Sequence, residues 1–274
     1  MNQVSPIRIA SVGFVNARPL IEGLDQNANI KLSMAVPSKL LSILKAGGAD
    51  VALLPTIDCH GISGLRIIPA GGIGCFGHTL TVRLFSHVPP TQIKTVACDS
   101  DSHTSIALAK ILFAKLYKTS PAFVDLKQAV NGPDEARLLI GDKVICEEPL
   151  GFEHQIDLGE AWKQLTGLPF VFAIWCAMPG VELGDLPLEL ENARKRGLAN
   201  AAKIVEKYAV PRGWPAGIAL QYLTMYLKYE VGPLQLKAMA LFHDFAEELG
   251  LLPGLRGPLE VVEMMKPVGL WEND

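Results

Sequence analysis

The chain is short of charge and of paired cysteines. Charged residues make up 19% of its 274 residues, and 25 Lys and Arg fall short of 28 Asp and Glu, for a net charge of −3. No basic excess exists to neutralise a phosphate backbone, which argues against a nucleic-acid binder. Five cysteines are present, Cys59, Cys75, Cys98, Cys146 and Cys176, an odd count with no C-x-x-C pair. That argues against a disulfide framework and a zinc site, and for small buried hydrophobes of a reduced protein. No G-x-S-x-G elbow and no P-loop occurs. None of His60, His78, His87, His103, His154 and His243 pairs with Cys, Asp or Glu at metal-ligand spacing, so no metal and no nucleotide is assigned. An unbroken membrane-length apolar run is missing too. The longest uncharged stretch, Gln164 to Val181, is interrupted by Gly167, Pro169, Pro179 and Gly180. The N-terminus has no basic region ahead of an apolar core and a small-residue cleavage site, so no secretory signal is read and a cytoplasmic protein is expected.

What is abundant is apolar surface. Hydrophobic residues reach 49%, enough for a sizeable core in one large domain or two modest ones. The first half alternates strand and helix patterns. Ile7–Val12 is a short β-rich run, Asn16 stands where a cap would precede a helix Ala17–Leu24, and Ile30–Ala35 is a second strand. Pro37-Ser38 opens a helix Lys39–Lys45, Asp50–Leu54 is a third strand, and Thr79–Ser86 another. This β-α-β-α-β order favours a parallel sheet with right-handed crossovers. His87-Val88-Pro89-Pro90 interrupts the pattern. Lys94–Cys98 then reads as a strand, Ser105–Tyr117 as an amphipathic helix, and Arg137–Ile140 and Val144–Cys146 as strands. Leu158–Leu165 is a short helix and Phe170–Trp175 a buried strand. From Pro187 helical patterns dominate: Leu188–Tyr208, Ala216–Tyr229, Pro233–Leu249 and Leu259–Met265. The order predicts an α/β protein of two lobes joined by two crossovers. Residues 1–88 and 174–274 form lobe one, with a helical C-terminal tail, and residues 89–173 form lobe two. Ligands in such architectures sit at the carboxyl ends of strands, against helix N-termini.

Four segments could carry chemistry. In Gly13–Leu20, Asn16 offers donors and an acceptor at a strand-to-helix turn, although a plain N-cap explains it as well. Arg18 there is either a carboxylate clamp or a solvated charge. In Asp99–Ser105, three hydroxyls precede a helix whose first N–H groups lack partners, which makes an anion cradle or an ordinary capped helix. The glycine-rich Gly71–Val82 follows no clear strand and is not a dinucleotide fingerprint. In Leu138–Asp142, Asp142 ends a strand as a base, an acceptor or a turn residue. The nearby Glu147-Glu148 reads as a solvated turn. Aromatic and Met residues of the tail fit helical core packing.

In this order the segments resemble the menaquinone biosynthesis A/D family, and within it the chorismate dehydratase branch. The stretches that carry the resemblance are Val12–Leu20 (VGFVNARPL), Pro37–Leu54, Thr81–Ser86 (TVRLFS), Asp99–Ser105, Leu138–Asp142 (LLIGD), Asp157–Trp162 (DLGEAW) and Thr166–Trp175 (TGLPFVFAIW). The resemblance implies a type II periplasmic-binding-protein-like fold used as a cytoplasmic lyase. It implies dehydration of chorismate to 3-[(1-carboxyvinyl)oxy]benzoate without a cofactor, in the futalosine route. By the same resemblance Asn16 falls on the family's active-site Asn, Thr81 near a hydroxyl position that is usually Ser, and Ser102, Thr104 and Ser105 on a hydroxyl cluster. Two departures stand out: His103 where Arg is the expectation, and the divergent stretch Gly71–His78. Both bear on carboxylate recognition. The sister branch, 1,4-dihydroxy-6-naphthoate synthase, begins with a Cys-Pro-Asn-Asp stretch where this chain has Val-Asn-Ala-Arg, and stands second.

Chorismate, the substrate so implied, carries two carboxylates. Asn16 is then the catalytic residue, orienting the substrate while the substrate's own enolpyruvyl carboxylate takes the ring proton. Thr81, Ser102, Thr104, Ser105, Arg18 and Asp142 are the substrate-binding candidates. Asp142 doubles as an alternative base, and Arg83 flanks Thr81 on the same strand face or is an exposed sheet charge. A small-molecule dicarboxylate is the expected partner, with no nucleic acid and no membrane. A homodimer would be compatible with this reading, and no residue pattern supports it. A non-catalytic cytoplasmic small-anion-binding protein of the same fold is the competing class.

Overall fold

A computed structural model describes residues 5–98, 102–129, 135–146 and 151–264. In chain order the strands are β1 (Ile7–Val12), β2 (Ile30–Ala35), β3 (Val51–Pro55), β4 (Arg66–Cys75), β5 (Val82–Ser86), β6 (Thr95–Cys98), β7 (Ala122–Asp125), β8 (Glu135–Ile140), β9 (His154–Asp157), β10 (Phe170–Ala177), β11 (Leu227–Lys228) and β12 (Glu260–Val261). They form two sheets. A seven-stranded sheet runs β11-β4-β10-β3-β1-β2, with β12 also on β4, and a five-stranded sheet runs β7-β6-β8-β5-β9.

The parallel parts arise as the alternating pattern predicts. β1 pairs in parallel with β2 and β3, and β6 with β7 and β8. β3 is buried at every position, which is why its sequence is a continuous Val-Ala-Leu-Leu-Pro run rather than an alternating one. The helix between β2 and β3, Pro37–Lys45, starts at Pro37 and buries Leu40 and Leu44, one turn apart on one face. The returning strand β10 lies antiparallel between β3 and β4. The glycine-rich stretch is the end of β4, which the sequence did not suggest. A Cβ on Gly72 or Gly74 would lie 2.7 Å from a β10 carbonyl, Ala173 O or Phe170 O. Those glycines therefore let two backbones approach at the irregular part of this pairing, and the segment continues a strand as far as Cys75.

The chain crosses between sheets twice, but the first crossover comes earlier than expected. Val82–Ser86 pairs with β8 and β9 in the second sheet, whereas the sequence assigned it to lobe one. Pro89-Pro90 marks only a 3-10 turn, Pro90–Gln92, after that strand. Proline punctuates local structure, and which sheet a strand joins is decided by tertiary pairing. Three further elements differ. Val144–Cys146 is part of a helix Asp142–Cys146, because Gly141, at φ 63, turns the chain sharply after β8. The helix from Ala216 passes at Tyr222–Tyr226 into a π turn and then extends as β11 to pair with β4. Glu260–Val261 is a strand on β4 rather than a helix, and Met265 lies outside the described residues.

Each sheet has its own core. Trp175, Ile9, Leu53 and Leu20 lie in the first. Leu84, Val96, Leu108 and Trp162 lie in the second. The helix Pro233–Glu248 serves both: Met239 packs into the first core, Phe242 and Ala246 into the second. Phe242 completes an edge-to-face aromatic group, 5.1 Å from Phe170 and 6.2 Å from Trp162 between ring centroids. Cys59, Cys75, Cys98 and Cys176 are buried as expected, and Cys146 is exposed. Among the described residues no helix is long and apolar enough to cross a membrane.

The neighbouring residue His243 sets a pH dependence of stability. It is 2% exposed, its Nε2 donates to Thr56 O at 2.8 Å, and burial pushes its pKa down to about 4. The unfolded chain holds a proton on this ring more readily than the folded one. Its stabilising contribution is therefore complete above the ordinary histidine range and is lost as pH falls from about 6.5 to about 4, by about 3 kcal/mol. Urea midpoints across that window should fall steeply for the wild type and less for His243→Gln, whose amide still reaches Thr56. Equal slopes would show that His243 does not control the transition. His60, edge-on to His243 at 4.5 Å and also lowered by burial, adds in the same direction.

Candidate functional site

A cavity of about 280 Å³ opens between the two sheets. Its walls come from the carboxyl ends of parallel strands: Phe14 and Asn16 after β1, Pro37 after β2, Pro55 closing β3, Ser102–Ser105 after β6, and Gly141–Lys143 after β8. This is where chain reversals leave a crevice in open α/β sheets. Val12, Leu53, Ile73, Val82, Ile140 and Phe172 supply the apolar lining.

Asn16 is not a helix cap. It lies inside a 3-10 turn, Val15–Ala17, and the following helix Arg18–Ile21 is preceded by Ala17 with no side-chain cap bond. Its amide instead lines the cavity near enough to the Tyr222 phenol to pull on its pKa, while Oδ1 is buried without a partner. An unpaired buried amide oxygen is costly unless a ligand completes it. Thr81 donates to the same phenol at 2.9 Å. Burial pushes Tyr222 up to about 12, against the pull of Thr81 and Asn16. The phenol therefore stays neutral, and its O–H remains a hydrogen-bond donor. Tyr222 joins the site from the helical tail, where sequence reasoning saw only core packing.

Thr81 is aimed by a clamp. Leu80, just before it, has a left-handed backbone at φ 68, a strained state for a side-chain-bearing residue. The Asp157 carboxylate holds it there. It accepts the N–H groups of Thr79 at 2.9 Å and Leu80 at 2.9 Å, and the Thr79 hydroxyl at 3.1 Å. The same carboxylate caps the helix Leu158–Thr166 through Gly159 and Glu160. Gly159 is required at this junction, since a Cβ there would lie 2.5 Å from Gly77 O and Thr79 Cγ2.

Ser102, Thr104 and Ser105 line the same cavity at the start of the helix His103–Leu112, and all three are buried. Ser102 occupies the cap position but makes no side-chain cap bond. The ordinary capped-helix reading therefore does not account for it. Thr104 Oγ1 accepts from Ile57 N–H at 3.3 Å. Asp99, Ser100 and Asp101, like Glu147 and Glu148, lie outside the described residues. Asp142 lines the cavity with its carboxylate engaged: Oδ1 accepts from Trp214 Nε1 at 2.7 Å, and Oδ2 is 3.9 Å from Arg212 Nε. His103 and Lys143 are cationic or potentially cationic groups of the lining.

Neither arginine named from the sequence belongs to the lining. Arg18 is absent from the cavity wall. Its Nη2 donates to Gly13 O at 3.0 Å and its guanidinium lies 4.1 Å over the Tyr208 ring. These contacts hold Arg18 against Gly13 and Tyr208, off the lining, while its buried Nε is left without a hydrogen bond. Arg83 bonds Gln155 on the next strand, as the exposed-charge reading has it. Among the described residues no three His, Cys, Asp or Glu gather to hold a metal ion.

The family whose model matches residues 7–248 is described as menaquinone biosynthesis. The chain is 27% identical over 269 residues to the chorismate dehydratase of Thermus thermophilus, covering 85% of this chain and 96% of that protein. Protein AF1704 from Archaeoglobus fulgidus aligns with a TM-score of 0.70 at 17% identity, covering 91% of this chain and 100% of that one. The Candida albicans CA3427 product, described as having the generic periplasmic-binding-protein fold, aligns at 0.62 and 12% identity over 92% of each chain. The fold is of that two-lobed kind.

Proposed function

The chain belongs to the menaquinone biosynthesis family, and from that membership we propose that it is a chorismate dehydratase, converting chorismate to 3-[(1-carboxyvinyl)oxy]benzoate and water. The observation that carries this reading is the meeting of Asn16, Thr81 and Tyr222 with Ser102, Thr104 and Ser105 in one cavity. At about 280 Å³ it suits one small molecule.

The reaction removes a proton from the ring carbon bearing the ether and hydroxide from its neighbour. It is redox-neutral, so no electron carrier is required. Conjugation to the ring carboxylate acidifies the proton, and aromatisation drives the elimination. The protein's part is to orient the diene, exclude water and stabilise developing charge. Ser102, Thr104, Ser105 and the first N–H groups of their helix receive one carboxylate. Lys143, after the neighbouring strand β8, adds charge to the same lining. Asn16 has no useful basicity, so it orients the substrate while the enolpyruvyl carboxylate takes the proton. Asp142 is the poorer base, since both of its oxygens already face donors.

Incubating the purified protein with chorismate should yield an aromatic ultraviolet chromophore with loss of the diene. Binding without that product would turn the reading toward a small-anion sensor. Asp142→Asn should keep single-turnover rates within about tenfold. Complete loss of turnover with binding intact would make Asp142 the base and remove the substrate-assisted step.

A further inference from the structure

Next to the hydroxyl cluster lies an acid–base pair built from both lobes. Asp58 belongs to the 3-10 turn Thr56–His60 that follows β3 and is 3% exposed. His103 opens the helix His103–Leu112 from the other lobe. Its Nδ1 is 3.0 and 3.2 Å from the two Asp58 oxygens, and the ring lines the cavity. The bond from Ile57 N–H to Thr104 Oγ1 ties the same turn to the same helix.

A carboxylate this buried is costly unless its charge is met. Meeting it with an imidazole fixes the ring: Nδ1–H faces Asp58, the carboxylate stabilises the imidazolium, and the proton to be transferred is carried by Nε2. Hydroxide is a poor leaving group, and a proton donor assists best when its affinity is near the working pH. Histidine's ordinary range lies nearest neutrality among the side chains of this lining.

We propose that His103, held by Asp58 as a positioning residue, donates the proton that turns the departing hydroxide into water. The inference rests on the dehydratase reading. The C–H bond at the ether-bearing carbon breaks, its electron pair completes the aromatic ring, and the proton passes to the substrate's enolpyruvyl carboxylate. The neighbouring C–O bond breaks with its pair on oxygen, which takes the proton from Nε2. The carboxylic acid then returns its proton to Nε2, and one water is lost overall.

The test follows chorismate in D₂O by proton NMR with His103→Gln and Asp58→Asn. His103→Gln should lower kcat about 10²-fold with Kd for chorismate within about threefold, and Asp58→Asn about tenfold. Unreacted chorismate recovered from His103→Gln should carry deuterium on the ether-bearing carbon, because proton removal continues while hydroxide departure stalls. A kcat within about threefold of wild type overturns the proposal. So does a loss that appears only as weaker binding, or lost turnover without deuterium uptake, which assigns His103 to deprotonation. Should His103→Gln lose its fold by circular dichroism, His103→Asn takes its place. Failure of the wild type itself to aromatise chorismate is a separate result and removes the dehydratase reading instead.

Discussion

Asn16→Ala should lower kcat/KM for chorismate by about 10²–10³-fold while leaving unfolding free energy within about 1 kcal/mol. The split between the two measurements is the point. A helix cap would behave in the opposite way, costing about 1 kcal/mol of stability with little effect on turnover. Asn16 makes no cap bond, lines the cavity, contacts the Tyr222 phenol and buries an unpaired Oδ1. Deleting its amide removes an oriented donor and acceptor from the substrate and leaves one less unmet group in the folded protein. Asn16→Asp is the sharper control. It is nearly isosteric, but places a negative charge where a doubly anionic molecule must enter, so KM should rise as well. Denaturant titration beside steady-state kinetics decides the matter. Lost stability with unchanged kinetics would return Asn16 to a structural role.

Asp157→Ala should be the most damaging change outside the cavity wall. It strips an acceptor from four backbone N–H groups and one hydroxyl, and an expected cost of about 3–5 kcal/mol combines a lost cap with buried donors left unmet. Activity should fall as well, by about 10–10²-fold, because Leu80 relaxes from its left-handed state and Thr81 leaves the Tyr222 phenol. Two variants separate these effects. Asp157→Asn keeps one acceptor oxygen and should fall between wild type and alanine in both measurements. Adding Leu80→Gly to Asp157→Ala should restore part of the rate but little of the stability, since glycine adopts that backbone without strain. An Asp157→Ala protein that loses under about 1 kcal/mol and keeps its kcat would show that Thr81 is aimed by something else.

These residues also show what the linear pattern discloses. Strand ends followed by polar turns are local features, and Asn16, Ser102–Ser105 and Asp142 were legible from them, while Thr81 was indicated only by the family resemblance. The structure brings each of these to the cavity wall. Their partners were not legible, because they arrive through tertiary pairing. Tyr222 is 141 positions from Thr81, Asp58 is 45 from His103, and Asp157 is 77 from Leu80. Each sits in a segment with a sufficient local explanation: a helical core, a turn, a helix cap. The sheet membership of Val82–Ser86 failed to show for a similar reason, since a strand's own residues do not say which neighbours it will meet. Arg18 shows the converse: a cation beside a candidate site in sequence meets Gly13 O and Tyr208 instead of the cavity lining.

The last long helix has a consequence for synthesis. Phe242 and Ala246 seat among residues of the middle segment, whose strands leave the ribosome well before Pro233 does. Until that helix emerges, Trp162 and Phe170 lack the ring that covers them, and exposed aromatic surface of this kind invites association with other nascent chains. The two halves therefore reach final packing together, late in translation, and not one after the other.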